Sequence, residues 1–348
     1  MKKLYTKSAY KILHCRRKCR LERRHSQTLK HNGKRSHPNS DRRKYTNKDA
    51  KILFAPDDFR LIDNTSECLT FLSDLRCKRH HGRRNTLSFA KISLRNVKLI
   101  DYGAISVLTA ISEAFKDKRI VLMGDYPDDE GCKQAFINSG FLDHMYKHNG
   151  QKFRKAEKSD LIFFEKGCGK LSELDNIKIS KTIKRVVSHL TGEEKQSLVI
   201  KTIVLEICGN SIEWANTHNK QWLLGTQYLD DRVIMTVTDI GEGIIETLHR
   251  KFTQQISDLL RVKTRKDVLE GAFNQKYGSS SQERNRNTGL PAIKNSHTEG
   301  HINNLKVITN DVILHFDNME KSKVMKGSSK FEGTFYQWTM TKENIIKA

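Results

Sequence analysis

The chain has 348 residues, of which 63 are Lys or Arg and 40 are Asp or Glu, a net charge of +23. Residues 1–50 hold 17 of the basic and 3 of the acidic residues, so +14 of the excess is terminal and +9 belongs to the other 298. An apolar share of 36%, with 20 Gly and 4 Pro, excludes collagen-like and low-complexity chains, and the length suits two domains with proper cores. No run approaches the ~20 apolar residues of a membrane-spanning helix, and the basic N-terminus lacks the apolar stretch of a secretory signal. No membrane span and a cytoplasmic location are therefore expected. The seven cysteines, odd in number and scattered, are expected to be reduced thiols.

Residues 1–49 read as a basic disordered arm, too poor in large apolar residues to offset the entropy of ordering it. Its Arg16-Arg17-Lys18 and Arg23-Arg24 clusters suit nucleic-acid phosphates or another acidic surface through residues 1–48, with a solvated tail as the alternative. Cys15, Cys19, His25 and His31 form a Cys-x3-Cys-x5-His-x5-His series, but its central gap is short of the ~12 residues that fold a zinc finger.

From 50 to 148 short apolar runs alternate with helical patterns. Ile52-Leu53-Phe54-Ala55 predicts a strand, and Asn64-Thr65 start a helix whose Cys68, Leu69, Phe71, Leu72 and Leu75 recur at helical spacing. Leu87-Ser88-Phe89 and Val97 to Ile100 read as strands, Ala104 to Phe115 as a helix, Ile120 to Met123 as a strand and Asp128 to Ser139 as a helix. This alternation predicts a small α/β layer. On the residues Leu99-Ile100-Asp101-Tyr102-Gly103-Ala104-Ile105-Ser106-Val107-Leu108 the stretch resembles the STAS-like fold of anti-sigma-factor antagonists. In that family the turn reads Asp-Ser-Ser-Gly-Leu, with a serine that a partner kinase phosphorylates. Here Tyr102 and Gly103 stand at the serine positions, with Tyr102 and Ser106 as the nearby hydroxyls. The resemblance implies a protein partner for this domain.

Residues 149–177 read as a linker with one strand, at Leu161 to Phe164. Ile179 to Leu190 and Glu193 to Asn216 then predict two helices parted by Thr191-Gly192. On the second, Glu206 and Asn210 are four apart and share a face. A carboxylate there can orient or deprotonate a water, and an amide oxygen is a hard ligand suited to magnesium. Gln221 to Leu229 and Val233 to Thr238 read as strands joined at Asp230-Asp231. They lead into Asp239-Ile240-Gly241-Glu242-Gly243, where glycines let the backbone approach a ligand and a carboxylate can accept an adenine amino proton. A long polar segment follows. Asn287-Thr288-Gly289-Leu290-Pro291 then starts a helix whose free amides favour phosphate, and Gly333-Thr334 opens a last strand, Phe335 to Met340.

This order of elements, over 178–345, resembles the GHKL ATPase family of gyrase, histidine kinases and anti-sigma-factor serine kinases. The resemblance implies the Bergerat α/β sandwich, so the fold class expected is α/β and α+β: a STAS-like α/β domain followed by a GHKL sandwich. It implies ATP and Mg2+ as cofactors, with Glu206 as general base, Asn210 on magnesium, and Asp239, Gly241 and Gly243 around adenine. Gly289 and Leu290 match the second glycine box and Thr334 a threonine beside the adenine. Arg250 to Arg286 would be the lid, its Lys276, Arg284 and Arg286 neutralising phosphate charge. The second box keeps one glycine, with Asn287 and Pro291 where others would stand, so weaker or differently gated triphosphate binding is expected. The function implied is a magnesium-dependent ATP-binding regulator, an ATPase or ATP-gated switch. The alternatives are a serine/threonine or histidine kinase of anti-sigma type, and a nucleic-acid-binding protein with a vestigial site. A homodimer is compatible with all three.

Overall fold

A computed structural model describes residues 49–348 except 85–86, 146–150, 152, 154–161, 168–170, 215–220, 275–288, 326 and 328–329. The arm, its Cys15, Cys19, His25 and His31, and Lys276, Arg284, Arg286 and Asn287 lie outside the described residues. The protein is mixed α/β.

The N-terminal part runs β1 (Ile52–Phe54), β2 (Asp58–Phe59), α1 (Thr65–Arg76), β3 (Gly82–Arg84), β4 (Leu87–Ser93), β5 (Leu99–Ile100), α2 (Tyr102–Asp117), β6 (Ile120–Met123) and α3 (Glu130–Asn138). β4 is central, parallel to β1 and β6 and antiparallel to β3, while β2 and β5 pair separately. All five apolar residues expected on the face of α1 are buried. α2 begins two residues earlier than its apolar spacing indicates, because Asp101 caps it, Oδ1 accepting from the Ala104 amide at 2.7 Å.

The C-terminal part continues with β7 (Ile162–Gly167), α4 (Glu173–Thr191), α5 (Leu198–Trp214), β8 (Trp222–Tyr228), β9 (Arg232–Asp239), α6 (Ile244–Lys251), α7 (Thr253–Val262), α8 (Arg265–Phe273), α9 (Gly289–Thr298), β10 (Asn303–Asn310), β11 (Val312–His315), β12 (Lys323–Val324), β13 (Phe331–Thr341) and α10 (Lys342–Lys347). Its seven strands form one antiparallel sheet in the order β12-β11-β10-β13-β9-β8-β7. β7, the strand expected within a linker, is the edge strand beside β8. α4 is delimited by a Ser172–Asp175 capping box and by Gly192 in the left-handed region, φ 78°.

The segment expected as a lid is helical as far as Phe273. Ile256, Val268, Leu269 and Phe273 are core residues, since the apolar positions of α7 and α8 recur at helical spacing beneath a polar outer face. A lid therefore does not begin at Arg250.

Each face of the large sheet has its own core. Met235, Val237, Tyr336 and Trp338 pack against Ile179, Ile183, Val204 and Ile207 of α4 and α5. On the opposite face Ile308 and Phe335 join the residues of α1 and α2. α2 is consequently buried almost all round. Ile105, Leu108, Ile111 and Phe115 face the small layer, each contributing about 1.5–3 kcal/mol by burial. The large sheet is met by Tyr102, whose hydroxyl donates to the Thr226 carbonyl (3.2 Å), and by Ser106, whose Oγ lies 3.1 and 3.2 Å from the hydroxyls of Thr236 and Thr238. Gly225 supplies the clearance: a Cβ there would fall 2.8 Å from the Tyr102 hydroxyl. Residues 47–348 thus form one compact unit.

Candidate functional site

The last residue of β9 is Asp239. Register pairs it with Trp222 of β8 and Thr334 of β13, so its side chain faces the helices. The carboxyl is 2% exposed, and burial pushes its pKa up to about 7. The Gly241 amide donates to Oδ1 at 3.0 Å, and the Thr334 backbone and hydroxyl and the Ser211 hydroxyl oppose the shift without cancelling it. Asp239 is thus poised between neutral and ionised forms near neutral pH, at the inner end of the sheet.

The loop after Asp239 is held from β10. Gly243 has φ 84°, and a Cβ on it would lie 2.7 Å from both Thr309 Oγ1 and Asn310 Oδ1. Those two side chains cap α6: Thr309 Oγ1 accepts from the Ile244 amide at 2.9 Å and Asn310 Oδ1 from the Ile245 amide at 3.1 Å. Asn310 Nδ2 donates to the Glu242 carbonyl at 2.8 Å. The first amides of α6 are therefore occupied by the protein itself and are not offered to a ligand.

α5 contributes Glu206, Asn210 and Ser211. Ser211 is buried against Asp239. Asn210, one residue earlier, has its Nδ2 buried and without a hydrogen-bond partner among the described residues. Such a group is costly in a folded chain, about 1–3 kcal/mol, which makes it a marker for a ligand. Its amide abuts the start of α9, where a Cβ on Gly289 would lie 2.5 Å from Asn210 Oδ1. Glu206, half-buried, stands one turn back on the same face. A Cβ on Gly209, between them, would meet nothing within 4 Å among the described residues. Leu290 is buried, and Pro291 is accommodated in the first turn, where its missing N–H has no helical partner to lose.

Asn210, Asp239, Gly241, Gly289 and Thr334 are thus brought to one end of the sheet, with Glu206 a turn away. Gly243 serves the loop's shape. Sequence reasoning did not reach Ser211, Thr309 and Asn310. The last two lie on β10, whose alternating Leu305, Val307 and Thr309 would have shown a strand.

Among the described residues no helix is long and apolar enough to cross a membrane, and no cluster of three or more His, Cys, Asp or Glu is gathered as a metal site. Four cysteines among them, Cys68, Cys77, Cys132 and Cys208, are free thiols. No protein-family model, curated protein or solved structure matches the chain.

Proposed function

We propose that the protein is a magnesium-dependent ATP-binding regulator built like the GHKL ATPases, with a STAS-like layer docked on the back of its sheet. The observation that carries this reading is the convergence of a buried carboxylate, Asp239, with an orphaned amide, Asn210, and the glycine that starts α9. Adenine requires an acceptor for its amino group, and Asp239, between Trp222 and Thr334, is the candidate. Phosphates favour the backbone donors of a helix start; those of α6 are taken by Thr309 and Asn310, which leaves the opening of α9 as the candidate.

Magnesium on a triphosphate keeps waters and phosphate oxygens as most of its ligands, so one protein oxygen suffices. The residues fit that need. Asn210 Oδ1 would hold the ion, whose charge would neutralise the phosphates, and the missing Cβ of Gly289 is what lets that side chain lie against the start of α9. Glu206 is placed to orient or deprotonate a water on the same side of α5. ATP hydrolysis, or ATP-gated switching without turnover, is the activity that this arrangement would support.

The kinase alternative finds no acceptor at the STAS-like turn of this fold, since Tyr102 and Ser106 are both buried against the sheet. The nucleic-acid alternative rests on residues 1–48. The deciding experiment is calorimetry of magnesium ATP with the intact protein, Asn210→Ala and Asp239→Ala, each checked for folding by circular dichroism. Binding by the intact protein that drops at least tenfold in both folded variants is expected. Absence of binding by the intact, folded protein would sink the reading.

A further inference from the structure

We propose that the cleft between the C-terminal half of α1 and the start of β13 is a binding site for a phosphate monoester. It has a volume of about 230 Å³, with Leu69, Leu72, Ser73 and Arg76 on one wall and Lys330 to Glu332 on the other.

The case rests on charge and shape together. Arg76 is sunk into the wall with its side chain 17% exposed; its Nη1 donates to the Glu332 carbonyl and its Nη2 lies 3.2 Å from the Glu332 carboxylate. That carboxylate is 72% exposed, so solvent weakens its hold. Lys118, at the end of α2, lies within electrostatic reach of Arg76, Lys78 and Glu332. Its pKa is pushed down by desolvation and then by repulsion from Arg76 and Lys78. Among the described residues neither Lys78 nor Lys118 forms a salt bridge. The C-terminus of α1 welcomes one cation through its dipole, but against Arg76, Lys78 and Lys118 stand one exposed carboxylate, Glu332, and the buried Asp239 within reach of Arg76 alone, which leaves positive charge in excess.

A tetrahedral dianion relieves it. The guanidinium fork matches phosphate oxygens and Ser73 adds a hydroxyl donor, while Lys118 and Lys78, outside the cleft's lining, add charge at longer range. The cleft is larger than an inorganic ion needs, and Leu69, Leu72 and Phe331 give the organic part of an ester an apolar wall. The ligand competes with Glu332 for Arg76, one residue from Gly333 and within electrostatic range of Asp239.

The test is calorimetry of phenyl phosphate, inorganic phosphate and phenol against the intact protein, with neither nucleotide nor magnesium present. Lys118→Met and Asn210→Ala are run alongside; Lys118 is exposed, so its variant is expected to fold. The expected result is one site for phenyl phosphate, at least tenfold tighter than inorganic phosphate, with none for phenol. Affinity should fall at least tenfold in Lys118→Met and stay unchanged in Asn210→Ala. No binding by the folded intact protein, or full affinity in Lys118→Met, overturns the site. Loss in Asn210→Ala moves the anion to the other pocket and overturns it equally. Inorganic phosphate binding as tightly as phenyl phosphate overturns the ester assignment. The proposal does not depend on ATP binding.

Discussion

Gly333 and Asp239 touch through their backbones: a Cβ built on Gly333 would lie 2.2 Å from the Asp239 carbonyl oxygen. Gly333 has φ 144°, and its own carbonyl accepts from the Thr309 hydroxyl at 3.0 Å. The residue that begins the approach to Thr334 therefore also sets where the Asp239 carboxyl sits. Gly333→Ala combines backbone strain with overlap that neither strand can relieve, and should cost about 3 kcal/mol or more. Urea denaturation measures it, and a loss below about 1 kcal/mol would mean that β9 and β13 can part locally.

Two other glycines should behave in opposite ways. Gly209→Ala, inside α5 and with nothing near its Cβ position among the described residues, should stabilise the protein by up to about 1 kcal/mol through helix propensity. Gly289→Ala should displace the Asn210 side chain, leaving stability within about 1 kcal/mol while magnesium ATP affinity falls at least tenfold. Thermal unfolding and calorimetry on the same two variants separate these effects.

The Asp239 carboxyl gives a signed pH dependence. Its folded pKa of about 7 lies above the ordinary 3.8, so the native state keeps a proton that the unfolded chain releases. The associated stability is complete below about pH 4, is lost as pH rises to about 7, and is flat beyond, a change on the order of 4 kcal/mol. Asp239→Asn should match the parent near pH 4 and exceed it at pH 8. An equal stability difference at both pH values would show that the carboxyl is not shifted by burial.

Ser106 predicts the character of the contact between the layers. Ser106→Ala should cost about 1–2 kcal/mol, because the hydroxyls of Thr236 and Thr238 lose a shared buried partner. Ser106→Asp should be far worse, placing a carboxylate where no cation is at hand among the residues bonded to it. Chemical denaturation orders the two variants, and tolerance of Ser106→Asp would show that the layers separate readily.

What the sequence made legible was local. β8, β9 and the helix bearing Glu206 and Asn210 follow from alternation and 3.6-residue spacing, and Asp239-Ile240-Gly241 stands out as a turn. β10 and β11 were passed over within a stretch broken by Asn304 and Asn310, both at positive φ. The helices from Ile244 to Phe273 read as a long polar segment and a lid because their outward faces dominate the composition. Ser211 beside Asp239, Asn310 over Gly243 and Arg76 against Glu332 depend on partners 28 to 256 positions away, or on a register that no local pattern encodes. The docking of α2 was illegible for the same reason, since Tyr102 and Ser106 read only as hydroxyls near a turn until the second surface is known.

Burial of α2 on both sides has a consequence for how the molecule comes apart. A helix that belongs to two cores at once cannot leave either without opening both, so amides in its middle should exchange with solvent only through global unfolding. Residues 47–348 then melt in a single transition, and a fragment beginning at Glu173 would lay bare a sheet face of Phe335, Thr236 and Thr238 that never meets water in the intact chain.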